Sequence, residues 1–197
     1  MSAVVVGVDG KARCGWAGMA ASAEYERYHD LEWGRPVSGE RDLFERLSLE
    51  AFQSGLSWLT ILRKREAFRA AFCNFEAARV AAFGPADVER LMGNSGIVRN
   101  LAKITATIQN ARAVLALPEG TTLPDIVQSY RPASPRTTAE IPSLTPESTA
   151  LAKDLKARGF RFVGPTTAYA MMQAIGLVND HMVGCWVYDV LAGAPDA

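Results

Sequence analysis

Apolar positions recur along this chain at helical rather than strand spacing. Leu43, Phe44, Leu47 and Phe52 follow Ser38 in a run that ends near Gly55. Ser57 is placed to cap a second run through Trp58, Ile61, Leu62, Phe68 and Phe72. Glu76 to Phe83 forms a short Ala-rich helix. Gly84-Pro85 restarts the chain with proline in a first turn, and that helix stops at Gly93. From about Arg99 to Leu117, residues Ala102, Ile104, Ile108, Ala111 and Leu115 keep helical spacing. Residues 131–147 carry Pro132, Pro135, Pro142 and Pro146 and read as a loop or lid. A helix then runs to Gly159, and Pro165 opens the last long one through Met171, Met172 and Ile175. No strand alternation and no internal repeat stands out, so the expected fold class is all-α.

Composition supports a folded core and narrows the setting. Hydrophobic residues make up 49% of the 197-residue chain, too many for extended disorder. Lys plus Arg and Asp plus Glu each number 21, and the zero net charge counts mildly against a strongly DNA-steered protein. Local basic faces remain available at Arg63-Lys64-Arg65, at Arg99, Lys103 and Arg112, and at Lys153, Lys156, Arg158 and Arg161. The same clusters suit ordinary solvated helix surface. No apolar run approaches the roughly 18 residues of a membrane helix. The apolar start, Ala3 to Val8, lacks a preceding basic region and does not read as a signal peptide. Three cysteines and no secretion signal lead to the expectation of a reducing, cytoplasmic setting.

The only two histidines are His29 and His181. His181 lies four residues before Cys185, a spacing that suits two ligands on one helical turn or in a tight loop. With Cys14 and His29 they form a Cys-His-His-Cys set, the mixed donor chemistry that tetrahedral zinc prefers. Four protein ligands leave no open position for an activated water, so such an ion is structural and clips the two chain ends together. On spacing alone, His181 and Cys185 fit packed residues equally well. Cys73 has no partner and reads as a core thiol.

Three of the four tryptophans, Trp16, Trp33 and Trp58, fall in the first 60 residues with Tyr25 and Tyr28. Glu50 sits late in an apolar helix, where it reads either as a rim carboxylate or as a pocket group. If Glu50, Tyr28 and Trp58 share a pocket, it suits a flat cationic ring: the indole face attracts positive charge, and the carboxylate accepts from ring N–H groups. An N3-alkylated adenine is such a ring. The string VERLMGNSGIVRNLAKI (88–104) reads as helix, glycine-bounded turn, helix. Free N–H groups at the second helix start, with Arg99 and Lys103, could hold a phosphate. Any αα-hairpin can carry two glycines, so this pattern is weak on its own.

The strings RCGW (13–16), YHDLEWG (28–34), LEAFQSGLSWLTILRKRE (49–66), GIVRNLAKI (96–104), GFRFVGPTT (159–167) and QAIGLVNDHMVGC (173–185) together resemble the bacterial 3-methyladenine DNA glycosylase I family. The resemblance covers roughly residues 12–188. It implies the helix-hairpin-helix glycosylase fold, with the hairpin at about 85–117, in a single unit over 12–190. Residues 1–11 are then an N-terminal extension, possible disorder included, and 191–197 a tail. It implies structural zinc, one per chain, on Cys14, His29, His181 and Cys185. It implies that Tyr28 and Glu50 hydrogen-bond the methylated adenine while Trp58 stacks on it, with Tyr25, Trp16 and Trp33 at further aromatic positions. It implies minor-groove binding of double-stranded DNA, with Gln53, Gly55 and Leu56 near the gap left by the extruded nucleotide; Gly96, Arg99 and Lys103 of the hairpin are further candidates for DNA binding from the residues themselves.

The chain departs from some relatives at Ala51, where they have glycine, and at Trp186-Val187-Tyr188, where they are cysteine-rich. Neither departure removes a ligand or pocket residue. The expected activity is monofunctional excision of 3-methyladenine by a monomer, since no nucleophilic lysine is assignable. Asp180, beside His181, is expected to orient that zinc ligand. Two rival readings stand: a zinc hydrolase, which four protein ligands oppose, and a zinc-containing damage-binding protein that does not cut.

Overall fold

Side-chain caps set several of the helix starts. Ser57 Oγ accepts from the Thr60 N–H at 3.2 Å and opens α3 (Trp58–Ala71). Asn100 Oδ1 accepts from the Lys103 N–H at 3.1 Å and opens α6 (Leu101–Leu115). Capping boxes with proline in the first turn open α7 (Leu123–Gln128) at Thr122 and α8 (Pro146–Ala157) at Thr145. The structure, a computed structural model, describes residues 4–37, 39–133 and 141–193. Ser38 and Pro135 therefore lie outside the described residues, and Gly39 precedes α2 (Glu40–Gln53). The remaining helices are α1 (Ala23–Leu31), α4 (Ala77–Ala81), α5 (Pro85–Gly93), α9 (Pro165–Ala174) and α10 (Trp186–Ala192).

The chain divides into two compact units. The larger comprises Val37–Arg131 and Ser143–Met171. Its interior is aromatic. Phe52 meets Phe68 with ring centroids 4.6 Å apart, and Phe72 stacks on Phe75 at 5.7 Å. Glu45, buried in α2, takes a forked bond from Arg69 of α3 at 2.9 and 3.1 Å. Between α3 and α4 the chain passes through three consecutive left-handed residues, Cys73, Asn74 and Phe75. Each costs about 1 kcal/mol or more for a residue with a Cβ. Complete burial of Phe75 offsets that strain. Cys73, read as a core thiol, is only half-buried there.

The smaller unit comprises Met1–Pro36, Pro132–Pro142 and Met172–Ala197. It corrects the all-α expectation. Val4–Val6 (β1) pairs antiparallel with Ala12–Cys14 (β2), with Val4 opposite Cys14. The turn is closed by Gly7 N–H to the Lys11 carbonyl at 2.9 Å, and Gly10 adopts φ +77°. Asp9-Gly10 is a hairpin signal, but two strands of three residues are too short to show alternation. In the same unit Gly176 lies at φ +69°, where a Cβ would stand 2.6 Å from the Gly34 carbonyl oxygen. That close backbone approach accompanies the Gly34 N–H bond to the Ala174 carbonyl at 3.2 Å.

Gly176→Ala is therefore expected to lower unfolding free energy by at least about 2 kcal/mol in a urea titration. Gly93→Ala, where an added Cβ meets nothing within 4 Å, should leave stability unchanged or slightly raised.

Candidate functional site

Four buried donors converge in the smaller unit. Cys14 ends β2, His29 lies in the last turn of α1, and His181 and Cys185 flank the loop that enters α10. Their ligand atoms all lie within 4.8 Å of one another. Cys14 Sγ stands 3.6 Å from His181 Nδ1, and Cys185 Sγ stands 3.6 Å from His29 Nε2 and 3.7 Å from His181 Nδ1. A tetrahedral ion bound by thiolate and imidazole at ordinary lengths sets its donors about 3.6 Å apart. The cluster could hold a metal ion with little rearrangement.

The far sides of both rings are tied. His29 Nδ1 bonds Asp30 Oδ1 at 2.8 Å, which leaves Nε2 facing the cluster. His181 Nε2 donates to the Trp33 carbonyl at 3.1 Å, which leaves Nδ1 facing it. Without an ion the two thiols share charge unequally. Cys185 is held well below the usual thiol range by its hydrogen bond from Cys14, with His181 and His29 adding. Cys14 is pushed up by the same bond and by burial. A bound cation removes that asymmetry by favouring both thiolates.

The residue that orients a ligand ring was not found from the sequence. It is Asp30, inside the string YHDLEWG, and not Asp180, which accepts from Gln173 at 2.8 Å. Asp30 is gripped in turn by Arg13, through Nε at 2.9 Å and Nη2 at 2.7 Å, and by Trp186 Nε1 at 3.2 Å. Arg13 and Asp30 each sit beside a metal ligand in sequence, the one signal that pointed to them.

The aromatic residues expected around a base are placed as follows in this unit. Trp16 meets His29 edge-on at 4.9 Å and Trp33 at 4.7 Å, and Trp33 meets His181 at 4.6 Å. Tyr25 lies 5.3 Å from Trp16. Tyr28 is buried in α1, and its carbonyl accepts from the N–H groups of Glu32 and Trp33, both at 2.9 Å. Trp16 and Trp33 thus pack directly on the two histidine rings of the cluster.

In the larger unit Glu50 is buried near the end of α2, which excludes the rim position. Burial pushes its carboxyl up to about 8 from the usual 4.5, against the pull of the Arg46 guanidinium. Trp58 opens α3. The turn between these helices holds three residues expected near DNA. Gln53 Nε2 donates to the Leu56 carbonyl at 2.9 Å, Gly55 adopts φ +79°, and Leu56 is exposed. Lys103, expected on phosphate, is buried and donates from Nζ to the carbonyls of Phe52 at 2.8 Å and Ser54 at 2.6 Å. It ends α2 electrostatically and holds the turn. Residues 94–100 join α5 to α6. There Gly96 N–H donates to Asn94 Oδ1 at 2.8 Å, and Lys64 Nζ bonds the carbonyls of Ser95 and Gly96 at 3.0 and 3.2 Å. Arg99 is exposed. Arg112 bonds the carbonyls of Ala81 and Phe83. Several residues of the basic clusters thus serve the chain's own helix ends.

A model of the methyladenine glycosylase family matches residues 16–188. The chain is 48% identical to DNA-3-methyladenine glycosylase 1 of Escherichia coli (strain K12), over 89% of this chain and 96% of that protein. It is similar to a crystal structure of 3-methyladenine DNA glycosylase I, with TM-score 0.83, 49% identity, and 88% and 98% of the two chains covered. It is also similar to 3-methyladenine DNA glycosylase I of Staphylococcus aureus, solved to explain 3-methyladenine recognition. That match has TM-score 0.81 and 33% identity, with 93% and 95% of the two chains covered.

Lys103→Met should cost about 2 kcal/mol of unfolding free energy, because two carbonyls lose a charged donor. The buried Glu50 carboxyl sets a pH dependence. It is protonated in the folded chain up to about 8, whereas in the unfolded chain it ionises near 4.5. The folded state binds the extra proton between these values, so wild-type stability falls as pH rises through that window. Glu50→Gln removes the loss. In urea titrations at pH 5 and pH 8, its stability relative to wild type should rise by on the order of 3 kcal/mol.

Proposed function

Because the chain belongs to the methyladenine glycosylase family, we propose that it is a base-excision repair glycosylase that hydrolyses the N-glycosidic bond of 3-methyladenine in alkylated DNA. The observation that carries this reading is 48% identity, over nearly the full length, to a relative of that name. The buried Glu50 carboxyl gives it a physical basis. The substrate nucleotide leaves the stack at a cost of a few kcal/mol, less for a lesion that pairs poorly. Its ring is cationic. A buried carboxyl loses its proton at little cost only when a cation arrives beside it, so Glu50 favours the alkylated ring over neutral adenine.

The chemistry then asks little of the protein. As the glycosidic bond breaks, its electron pair returns to the ring and the base departs neutral. Positive charge moves to the sugar, water attacks the anomeric carbon, and the proton passes to solvent. We assign base recognition to Glu50 and Tyr28 by hydrogen bonding and to Trp58 by stacking, with Tyr25, Trp16 and Trp33 as supporting aromatics. DNA binding is assigned to the turn bearing Gln53, Gly55 and Leu56, with Lys103 acting by holding that turn. Helix α5, residues 94–100 and α6 are read as a helix-hairpin-helix element that engages backbone phosphate through Gly96 and Arg99. The excision is monofunctional, the enzyme a cytoplasmic monomer.

Cys14, His29, His181 and Cys185 are read as ligands of one structural zinc ion. The donor set and its spacing fit that ion, and four protein ligands leave no position for a reacting water. When bound, the ion supplies a cross-link between residues 14–29 and 181–185.

The test is incubation with methylated duplex DNA and chromatography of the released bases. Wild type should release 3-methyladenine and leave the strand intact, and Glu50→Gln should release it roughly a hundredfold more slowly while remaining folded. Binding of methylated DNA without base release would overturn the enzymatic reading. Wild-type rates in the variant would remove Glu50 from the assignment.

A further inference from the structure

The N-terminal hairpin precedes the span matched by the family, yet it is built onto the metal centre at three points. Val4 pairs across the ladder with Cys14, so both side chains lie on one face. Val4 there packs against the buried cluster of Cys14, Cys185 and Val187. Asp9, at the turn, forks onto Arg13, with Oδ1 to Nη1 and Oδ2 to Nη2 both at 2.8 Å. Lys11 places its ammonium 4.2 Å from the centre of the Trp186 ring, whose Nε1 bonds Asp30.

These ties form a continuous chain of charge-assisted bonds. Asp9 holds Arg13, Arg13 holds Asp30, and Asp30 holds His29 with Nε2 facing the other donors. Glu26 adds a third carboxylate on Arg13 at 3.2 Å. Arg13 is buried, so its position depends on these partners and not on solvent. Gly7 belongs to the same arrangement. A Cβ there would stand 2.6 Å from Arg13 Nη1 and 2.8 Å from Asp9 Oδ1.

We propose that the hairpin of residues 4–14 is a retaining cap on the metal site: Asp9 and Gly7 fix Arg13 and hence the Asp30 carboxylate that orients His29, Val4 shields the thiolates, and together they slow loss of the ion. The proposal rests on the zinc reading of the four donors. Asp9 and Gly7 are positioning residues with no part in base recognition.

The experiment uses the full chain loaded with zinc and follows transfer of zinc to an excess of chromogenic chelator at neutral pH. Wild type, Asp9→Asn, Asp9→Glu and Gly7→Val are compared. Release from Asp9→Asn and Gly7→Val should be roughly tenfold faster, the usual order for an outer partner of a metal ligand. Asp9→Glu should recover most of the wild-type rate. In the cobalt-substituted proteins the thiolate charge-transfer band should persist in all four, while the ligand-field bands shift in Asp9→Asn, reporting a reoriented imidazole. Base release by freshly loaded variants should match wild type. Equal release rates and identical cobalt spectra would overturn the cap. Gly7→Val provides a second test that leaves every charged group in place. A wild-type protein that takes up no zinc would instead overturn the metal reading, before any variant is compared.

Discussion

Convergence of Cys14, His29, His181 and Cys185 is the constraint on which the smaller unit depends. These donors come from the two extremes of the chain and meet within hydrogen-bonding range. Among the described residues, Cys14, Cys185 and Val187 are fully buried in the apolar cluster around them, with Val4, Trp16, Met182, Trp186, Tyr188 and Leu191 packed against it. That apolar contact joins a strand pair, a helix and a loop from distant parts of the sequence, and polar contacts tie them further. The imidazole and thiol groups of the cluster could hold one metal ion, and each ring is held from behind. Asp30 and the Trp33 carbonyl do that holding, and the aromatic faces of Trp16 and Trp33 close around the rings.

The larger unit follows a different logic. An aromatic interior lets α2 carry a carboxyl into a dry position, with Glu50 left short of full compensation by Arg46. On the proposed role of Glu50, a carboxyl stored in its neutral form ionises at least cost when a cation lies beside it. On that proposal, discrimination draws on the charge of the lesion itself. A lesion whose glycosidic bond is already weakened needs chiefly to be found, held and exposed to water.

Much of this was legible in the residues. The runs opened by Ser57, by Pro85 and by Pro165 emerge as helices because cap and periodicity agree there. The four members of the Cys/His cluster that could hold a metal were legible through residue type and order. What stayed hidden was short or non-local. Strands of three residues carry too few positions to show a period, and the left-handed turn at Cys73-Asn74-Phe75 contains no glycine to announce it. Helices α1, α7 and α10 were not read from the sequence. The partners of charged residues are a tertiary matter: nothing local says that Lys103 turns inward to Phe52 and Ser54, or that Asp30 rather than Asp180 steadies a ligand.

The inward turn of Lys103 has an evolutionary corollary. Its ammonium grips main-chain oxygens, which every residue type possesses, so the shape of the segment after α2 is specified from outside that segment. The side chains at positions 54 and 56 are thereby relieved of structural duty, while Gln53 still bonds the Leu56 carbonyl. Such a segment can accumulate substitutions without unravelling. On its proposed DNA-facing role, it is a natural site for altered engagement with a duplex to arise by single mutations, and for libraries to be randomised while the scaffold persists.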